Sequence, residues 1–446
     1  MFYRKALDKL HAWKSASGKK NALRIIGARQ IGKTTVVREL AKTYKSHILF
    51  NFVEDPKAKE IFTGSLDAQT LIERMSAYSG VMLHKGQSLI VFDEIQQCPR
   101  ARTAIKFLVE DGSYDYIETG SLLGAVERKV DSIPVGFEEE YRMYPMDFDE
   151  FLLAINPDSV LMKKARDAFD RMEAIDSVIH DKLMSYFRLY MVVGGMPAVV
   201  KEYCDSHDLV RVRNLQKSII ELYRQDISQY ASPEDKVMIR TIFDSIPSQL
   251  GSSNRRFIVS KIGENIRMRK AENAFLWISD AGVALPCYNT QRLCHSLAIN
   301  SERSLFKLFL CDPGLLCAMG LQNVQFELLN EASEVDLGYF LENVIAVALK
   351  SLGFEELYYF DQKKYGEIDF AIEVGKEIIP IEVKSGNTFR RHATLDKLLA
   401  QEEWPVSHGI VLTRYNYLQE GDITYMPFYM VYFLKPKEVK TFIYEL

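Results

Sequence analysis

The chain has no hydrophobic run long enough to cross a bilayer. Its longest apolar stretch, near Tyr190 to Val200, is broken by Gly194, Gly195 and Pro197 and falls short of the ~20 residues that a spanning helix needs. It has no excess of charge of either sign. Lysine and arginine number 56 against 60 aspartates and glutamates, for a net charge of −4, so any contact with nucleic acid must use a local basic surface. Cysteine is sparse. The six, Cys98, Cys204, Cys287, Cys294, Cys311 and Cys317, lack the paired spacing of structural zinc sites, and Cys294-His295 near Cys287 is the nearest approach to a cluster. Reduced thiols in a cytoplasmic protein are therefore expected. No signal pattern opens the sequence, where Met1-Phe2-Tyr3-Arg4-Lys5 runs directly into an amphipathic helix pattern. The 446 residues, 47% hydrophobic and 26% charged, are of ordinary globular composition and allow about three domains of ~150 residues each.

One segment carries a definite chemistry. Gly27-Ala28-Arg29-Gln30-Ile31-Gly32-Lys33-Thr34 has the spacing of a phosphate-binding P-loop. Leu23-Arg24-Ile25-Ile26 before it reads as a strand, and Thr35-Val36-Val37-Arg38-Glu39-Leu40 after it as a helix. Backbone N–H groups surround a phosphate where a strand delivers the chain to a glycine turn and a helix begins. Gly27 and Gly32 permit angles that a side chain blocks. Lys33 brings a point charge to the outer phosphates, and the Thr34 hydroxyl can ligate Mg²⁺. The expected nucleotide-binding residues are Gly27, Ala28, Arg29, Gln30, Ile31, Gly32, Lys33, Thr34 and Thr35, with ATP and Mg²⁺ as the implied ligands.

A second signature lies at Ser88-Leu89-Ile90-Val91-Phe92-Asp93-Glu94. Its apolar run predicts a strand buried on both faces, ending at the carboxyl edge of a parallel sheet where ligands bind. Asp93 is the expected Mg²⁺ partner of Thr34, and Glu94 is placed to orient or polarise an attacking water. The strand Tyr114–Glu118 ends in Thr119-Gly120-Ser121. There Thr119 either contacts the γ-phosphate or its water, or caps a helix. With His47–Phe52 as a strand and Asp67–Tyr78 as a helix, the alternation predicts a parallel α/β sheet. Cleavage of a γ-phosphate usually needs a cation against the developing charge. Arg29, Arg100, Arg102, Arg128 and Arg142 are candidates among which the sequence does not choose.

Residues 159–230 are helix-rich, and Leu215–Leu222 shows a helical apolar stripe, as a lid on the nucleotide domain would. Between Glu234 and Asn289 a small helical unit ends in a hairpin. Ser260 can cap a short helix, Lys261–Asn265 fits a tight turn, and Ala274, Trp277, Ile278 and Ala281 share one face of a helix that runs to Asp280. Val283–Tyr288 reads as a wing strand. Arg255, Arg256, Lys261, Arg267, Arg269 and Lys270 cluster there, either as phosphate contacts or as a solvated face. From Leu305 strands return: Phe306–Leu310, Leu357–Phe360, Glu367–Ile372, Ile378–Lys384 and Gly409–Thr413. Asp312-Pro313-Gly314 reads as a turn, and helices are expected over Asp336–Leu352 and Ala393–Gln401. Glu382 and Lys384, two apart on a strand, point to one side. If Asp369 lies on the preceding hairpin strand it faces them, and two carboxylates can then hold Mg²⁺ while the lysine steers a water or stabilises charge on phosphate. The alternative is an exposed, charge-paired strand face. Lys363, Lys364, Arg390, Arg391 and His392 are nearby candidates for gripping phosphates.

Taken in order, several segments carry a resemblance. They are the P-loop, Val91-Phe92-Asp93-Glu94-Ile95-Gln96, Glu118-Thr119-Gly120-Ser121-Leu122-Leu123, Tyr144-Pro145-Met146-Asp147-Phe148-Asp149-Glu150-Phe151 and Gly194-Gly195-Met196-Pro197. Over essentially its whole length the chain resembles the prokaryotic AAA-type ATPases that carry a C-terminal domain of unknown function with a restriction-endonuclease-like core. The resemblance implies an α/β protein of four parts: a P-loop ATPase domain with a parallel sheet (1–155), a helical lid (156–232), a winged-helix-like domain (233–300) and a PD-(D/E)xK nuclease-like domain (301–446). It assigns Glu342, Asp369 and Glu382 to a metal site, with Asp369, Glu382 and Lys384 as the cleavage residues beside Lys33 and Glu94 of the ATPase site. One departure is the family's Gly-Arg pair, in whose place this chain reads Ile133-Pro134-Val135-Gly136-Phe137; Arg142 is the alternative sensor. The expected activity is Mg²⁺-dependent ATP hydrolysis governing a nuclease-like domain that acts on or binds nucleic acid. The alternatives are a nucleotide-dependent switch or scaffold whose silent nuclease-like domain binds a protein partner or DNA, and a DNA-reading regulator. A homo-oligomer is a further expectation, and contact with a membrane is not expected.

Overall fold

The computed structural model describes residues 2–16, 20–120, 134–232, 235–253, 255–263, 268–329, 338–401 and 404–436. Ser121, Leu122, Leu123, Arg128, Ile133, Asn265, Arg267 and Asp336, all named above, lie outside them, as do the side chains of Arg269 and Lys270. The chain divides into two compact units. The first comprises Met1–Pro145, Gln225–Lys236 and Asn273–Val283; the second comprises Met146–Arg224, Val237–Glu272 and Ala284–Leu446.

The first unit is built on β1 (Ala22–Ile26), β2 (Ser46–Asn51), β3 (Ser88–Asp93), β4 (Asp115–Thr119) and β5 (Glu138–Arg142), in the order β2-β3-β4-β1-β5. Every neighbouring pair is parallel, as the strand–helix alternation predicts. β3 is buried at every position, which its unbroken apolar run requires. The helix Ala68–Ser79 starts at Asp67, whose carboxylate accepts the Thr70 N–H, and stops at Gly80 with φ 68°. The helix Pro99–Asp111 follows the same rules, with proline at its first position and Gly112 at φ 70° after its last. Phe50, Phe52, Phe62 and Phe92 pack together beneath the sheet. The consequence for the site lies in the strand order: β4 separates β1 from β3, so the P-loop and the Asp93 strand end flank Thr119 at one carboxyl edge.

The second unit begins with helices, among them Ser177–Val193, Pro197–Ser206, Leu209–Tyr230 up to its residue 224, and Lys236–Leu250 from its residue 237. It continues into an eight-stranded sheet of β6 (Ala284–Thr290), β7 (Ser301–Leu310), β8 (Leu357–Gln362), β9 (Gly366–Val374), β10 (Glu377–Lys384), β11 (Gly409–Thr413), β12 (Leu418–Glu420) and β13 (Ile423–Pro427). The order is β12-β13-β11-β10-β9-β8-β6-β7. β8, β9 and β10 run antiparallel in sequence, and β11 and β13 add in parallel. β6, expected as a wing strand, pairs antiparallel with β7 and parallel with β8 and so is an internal member of this sheet.

Asp312-Pro313-Gly314, read as a turn, is instead a helix start. Asp312 caps the helix Pro313–Gly320 by accepting the Leu315 N–H at 2.9 Å, and it also accepts the Gly195 N–H at 2.6 Å. This explains the Gly194-Gly195 pair. A Cβ on Gly194 would lie 2.3 Å from the Asp312 carboxylate, and one on Gly195 would lie 2.0 Å from the Met146 carbonyl oxygen. Burial pushes the Asp312 carboxyl up to about 6, against the pull of these N–H donors. All six cysteines are free. Among the described residues no single helix is long and apolar enough to cross a membrane.

Candidate functional site

The P-loop leaves β1 and is turned by three residues with positive φ: Gly27 (139°), Gln30 (68°) and Gly32 (91°). No side chain fits at Gly27, because a Cβ there would sit 2.3 Å from the Met143 carbonyl oxygen and 2.8 Å from Ile31 Cδ1. Gly32 caps the helix Lys33–Ala41 without a side-chain hydrogen bond, which leaves first-turn N–H groups to an anion. Arg4 braces the loop from below; it is 5% exposed and donates to the carbonyls of Ile31 and Tyr144, both at 2.8 Å. Gly282 packs against the loop's other side, where a Cβ would lie 2.9 Å from the Ala28 nitrogen. Ala28 and Ile31 are buried, Gln30 and Thr35 exposed, and Arg29 lies between these extremes.

Lys33 is buried, and among the described residues no carboxylate lies within its hydrogen-bond reach. Its ammonium donates to the loop's own carbonyls, Gly27 at 2.9 Å and Ala28 at 2.8 Å. Burial lowers its pKa to about 8, and the acids Glu94, Asp93 and Asp226 only partly offset this. A phosphate bound in the loop would supply a counter-charge.

Asp93, 2% exposed, is the hub of the acidic edge. Its oxygens accept from the Thr34 hydroxyl at 3.0 and 3.2 Å, from Asn51 Nδ2 at 3.1 Å and from the Thr119 hydroxyl. The structure thus brings together Lys33, Thr34, Asp93 and Thr119 as the sequence suggested, and adds Asn51. A carboxylate held beside the P-loop hydroxyl is the donor set that Mg²⁺ takes in nucleotide sites, so these residues fit that ion. Glu94 follows at φ 53° and accepts a hydrogen bond from Gln96. Asn51 ends β2, and no motif announces it.

The arginine candidates separate. Arg102 is buried in ion pairs with Glu118 at 2.7 Å and with Glu138. Arg100 donates to the carbonyls of Phe62 and Gly64, both at 2.7 Å. Arg142 lies 3.9 Å from Glu140. Arg29 pairs with Asp226, near the end of the helix Leu209–Tyr230.

The C-terminal candidates sit in the eight-stranded sheet of the second unit. Ile381 stands opposite Phe370 across β9 and β10, which sets Asp369 beside Glu382. Asp369 Oδ2 accepts the Val383 N–H at 2.8 Å, and Lys384 Nζ lies 2.7 Å from Glu382 Oε2. Burial raises the Glu382 pKa, and Lys384 opposes the shift. Glu342, on the helix Gly338–Ser351, is differently engaged. The fully buried Lys307 of β7 approaches its Oε2 at 3.2 Å and Glu367 at 2.7 Å, and the Arg255 guanidinium contacts its Oε1. These partners do not fit a divalent ion: two cations already compensate Glu342, and one oxygen of Asp369 is committed to the backbone. Among the described residues no group of three metal-type ligands gathers. The nearby basic residues are mostly engaged too. Arg256 pairs with Asp361, Arg390 with Glu420 at 2.8 Å, Lys364 donates to the Tyr365 hydroxyl, and His392 lies between Tyr425 and Asp396.

Residues 19–152 match the family model of the AAA domain. Residues 184–325 and 337–430 match two families, each described as a domain of unknown function, DUF8612 and DUF4143. No curated protein matches the chain. Among solved structures the chain is similar to the Walker-type ATPase PABY2304 of Pyrococcus abyssi, at 12% identity over 72% of this chain and 96% of that one, with a TM-score of 0.42. It is also similar to Cdc6p of Pyrobaculum aerophilum, at 11% identity over 73% and 93%, with a TM-score of 0.25. A glycine-turned loop on an internal parallel strand, an acidic strand end with one strand between, and a family match over the same residues agree: residues 19–152 form an AAA-type P-loop domain.

Proposed function

We propose that the chain is a cytoplasmic, Mg²⁺-dependent ATP hydrolase that works as a nucleotide switch, and that its C-terminal sheet binds a partner, DNA or protein, without cutting it. The observation that carries the first half is the buried Lys33, held by the loop's own carbonyls, beside the Asp93 hub. In this reading the amides of residues 27–34 and the Lys33 ammonium hold the outer phosphates. Thr34 and Asp93 hold Mg²⁺, which when bound supplies neutralising charge at the phosphate oxygens. Glu94 orients the attacking water and accepts its proton. Thr119 and Asn51 keep Asp93 aimed. The test is nucleotide binding and phosphate release in three proteins. Lys33→Ala is expected to lose binding. Glu94→Gln is expected to bind ATP and turn over about 10²–10⁴-fold more slowly. Full turnover in both variants sinks the assignment.

The second half rests on Lys307 and Arg255, which meet Glu342 where a metal ligand was expected. A buried carboxylate between two cations is already compensated and has little to gain from a divalent ion. The rival reading, metal-dependent cleavage, has one observation in its favour: Asp369, Glu382 and Lys384 stand together on adjacent strands. Supercoiled and linear DNA incubated with Mg²⁺ or Mn²⁺, with and without ATP, separates the two. No cutting is expected. Nicking that disappears in Asp369→Ala establishes the rival.

A further inference from the structure

The helix Leu209–Tyr230 belongs to the second unit up to residue 224 and to the first from residue 225. In the first unit it delivers Asp226, 4% exposed, whose Oδ1 accepts from Nη1 of Arg29, the third residue of the P-loop. The carboxylate also lies within electrostatic reach of Lys33 and Glu94. Burial raises its pKa, while Arg29 and Lys33 oppose the rise. A carboxylate in this place is unfavourable for a triphosphate site, since it repels the charge that the loop is built to bind. Its counter-ion comes from the loop itself, and the pair is lopsided. The Arg29 side chain is 41% exposed and that of Asp226 is 5% exposed, so the arginine has room to reorient and the acid has little.

We propose that Asp226 is a nucleotide-state sensor: it holds Arg29 while no γ-phosphate is present and loses Arg29 to the γ-phosphate when ATP binds, so that the helix Leu209–Tyr230 registers ATP against ADP. The inference rests on the nucleotide-binding reading above. Its chemistry is a competition between two oxyanions for one guanidinium. A terminal phosphate carries more charge than a carboxylate and, like it, can accept arginine's planar fork through two oxygens. Once Arg29 leaves, Asp226 is a buried acid without that partner, a state costly enough to displace the end of the helix or to protonate the acid. ADP lacks the competing group and leaves the pair in place. The two nucleotides therefore interact differently with two states of one helix, as any nucleotide-driven change requires.

The test uses the full chain with Mg²⁺ and either AMP-PNP or ADP, measured by calorimetry, with thermal melting to check folding. Asp226→Asn is expected to tighten AMP-PNP binding by about tenfold and to leave ADP within about twofold. Arg29→Ala, which keeps the loop's backbone amide, is expected to weaken AMP-PNP about fivefold more than ADP, and to erase the Asp226→Asn effect in the double variant. Hydrogen exchange supplies a readout that a purely structural ion pair does not move. Residues 222–230 should exchange faster with AMP-PNP than with ADP in the wild type, and at the same rate with either in Asp226→Asn, which has no buried charge to strand. An unchanged AMP-PNP/ADP affinity ratio in folded Asp226→Asn and Arg29→Ala overturns the sensor and leaves the binding site standing. Wild-type protein that binds neither nucleotide overturns both.

Discussion

The P-loop lysine makes nucleotide affinity dependent on pH in a way that can be worked out in advance. Lys33 has an ordinary pKa of 10.5 and is lowered to about 8, because burial outweighs the nearby acids. The gap is worth about 3 kcal/mol against the charged form at ~1.4 kcal/mol per pH unit. The sign follows from linkage. A folded pKa below the unfolded one contributes stability that is present above 10.5 and lost as pH falls through 8, so near pH 7 the empty loop carries this penalty in full. A bound phosphate removes it by supplying the counter-charge. Below pH 8 the amine is already protonated and affinity should be flat. Above pH 8 binding must take up a proton, and affinity should fall about tenfold per pH unit until the lysine's pKa in the complex is approached. Calorimetry of Mg²⁺–ADP binding at pH 7, 8, 9 and 9.5, in two buffers of different ionisation enthalpy, measures both the slope and the proton count. Lys33→Arg, whose charge does not titrate in this range, should bind with no such slope. Wild-type affinity constant within twofold from pH 7 to 9.5, or no proton uptake at pH 9, refutes the reasoning.

Three further perturbations have defined outcomes. Gly27→Ala forces a Cβ to within 2.3 Å of the Met143 carbonyl at φ 139°, so melting should show a loss of about 1–3 kcal/mol and titration should show nucleotide binding weakened more than tenfold. Asp312→Ala strips the acceptor from the N–H groups of Gly195 and Leu315 and should cost about 2–4 kcal/mol. Because burial raises the Asp312 pKa from 3.8 to about 6, its contribution is fully present below 3.8 and lost as pH rises through 6. The wild-type–variant gap in denaturant titrations should therefore widen from pH 7 to pH 4. Lys307→Met leaves Glu342 buried beside Arg255 without its ammonium partner and should cost about 3–5 kcal/mol. Adding Glu342→Gln should recover part of that loss, as a double-mutant cycle on chemical denaturation will show.

What could be read in the sequence was what depends on neighbours along the chain. The P-loop, the Asp93 strand and most strands of both sheets follow from short apolar runs, glycine placement and caps within a few residues. Asp312 shows the limit. Aspartate-proline-glycine suits a turn and a helix start equally, and the choice is made by the Gly195 N–H, 117 residues away, which needs an acceptor. Asn51, Asp226 and Arg4 act on the loop or on Asp93 across 42, 197 and 27 residues. No local pattern marks them, because each is an ordinary residue at an ordinary strand or helix position. Lys307 is the sharpest case. Phe306-Lys307-Leu308-Phe309-Leu310 reads correctly as a strand, but nothing in it says that the lysine faces inward to two glutamates.

That inward lysine also decides how the two acidic sites should be weighed. A site that does chemistry on phosphates must keep charge that its own fold leaves uncompensated, because the substrate has to be the better partner. Lys33 meets that condition: it is buried, bonded to carbonyls rather than carboxylates, and its pKa is depressed as a result. Glu342 fails it. Lys307 and Arg255 already balance it, and Lys307 is in turn shared with Glu367. Displacing that ammonium with a divalent ion would expose a buried cation to a second one and forfeit a hydrogen-bonded pair in a dry interior. Asp369, Glu382 and Lys384 stand together on adjacent strands, while Glu342, on the helix Gly338–Ser351, pairs with Lys307 of the sheet. The charge pattern that looks alike at both ends of the chain thus has opposite consequences, open to an anion at one and closed on itself at the other.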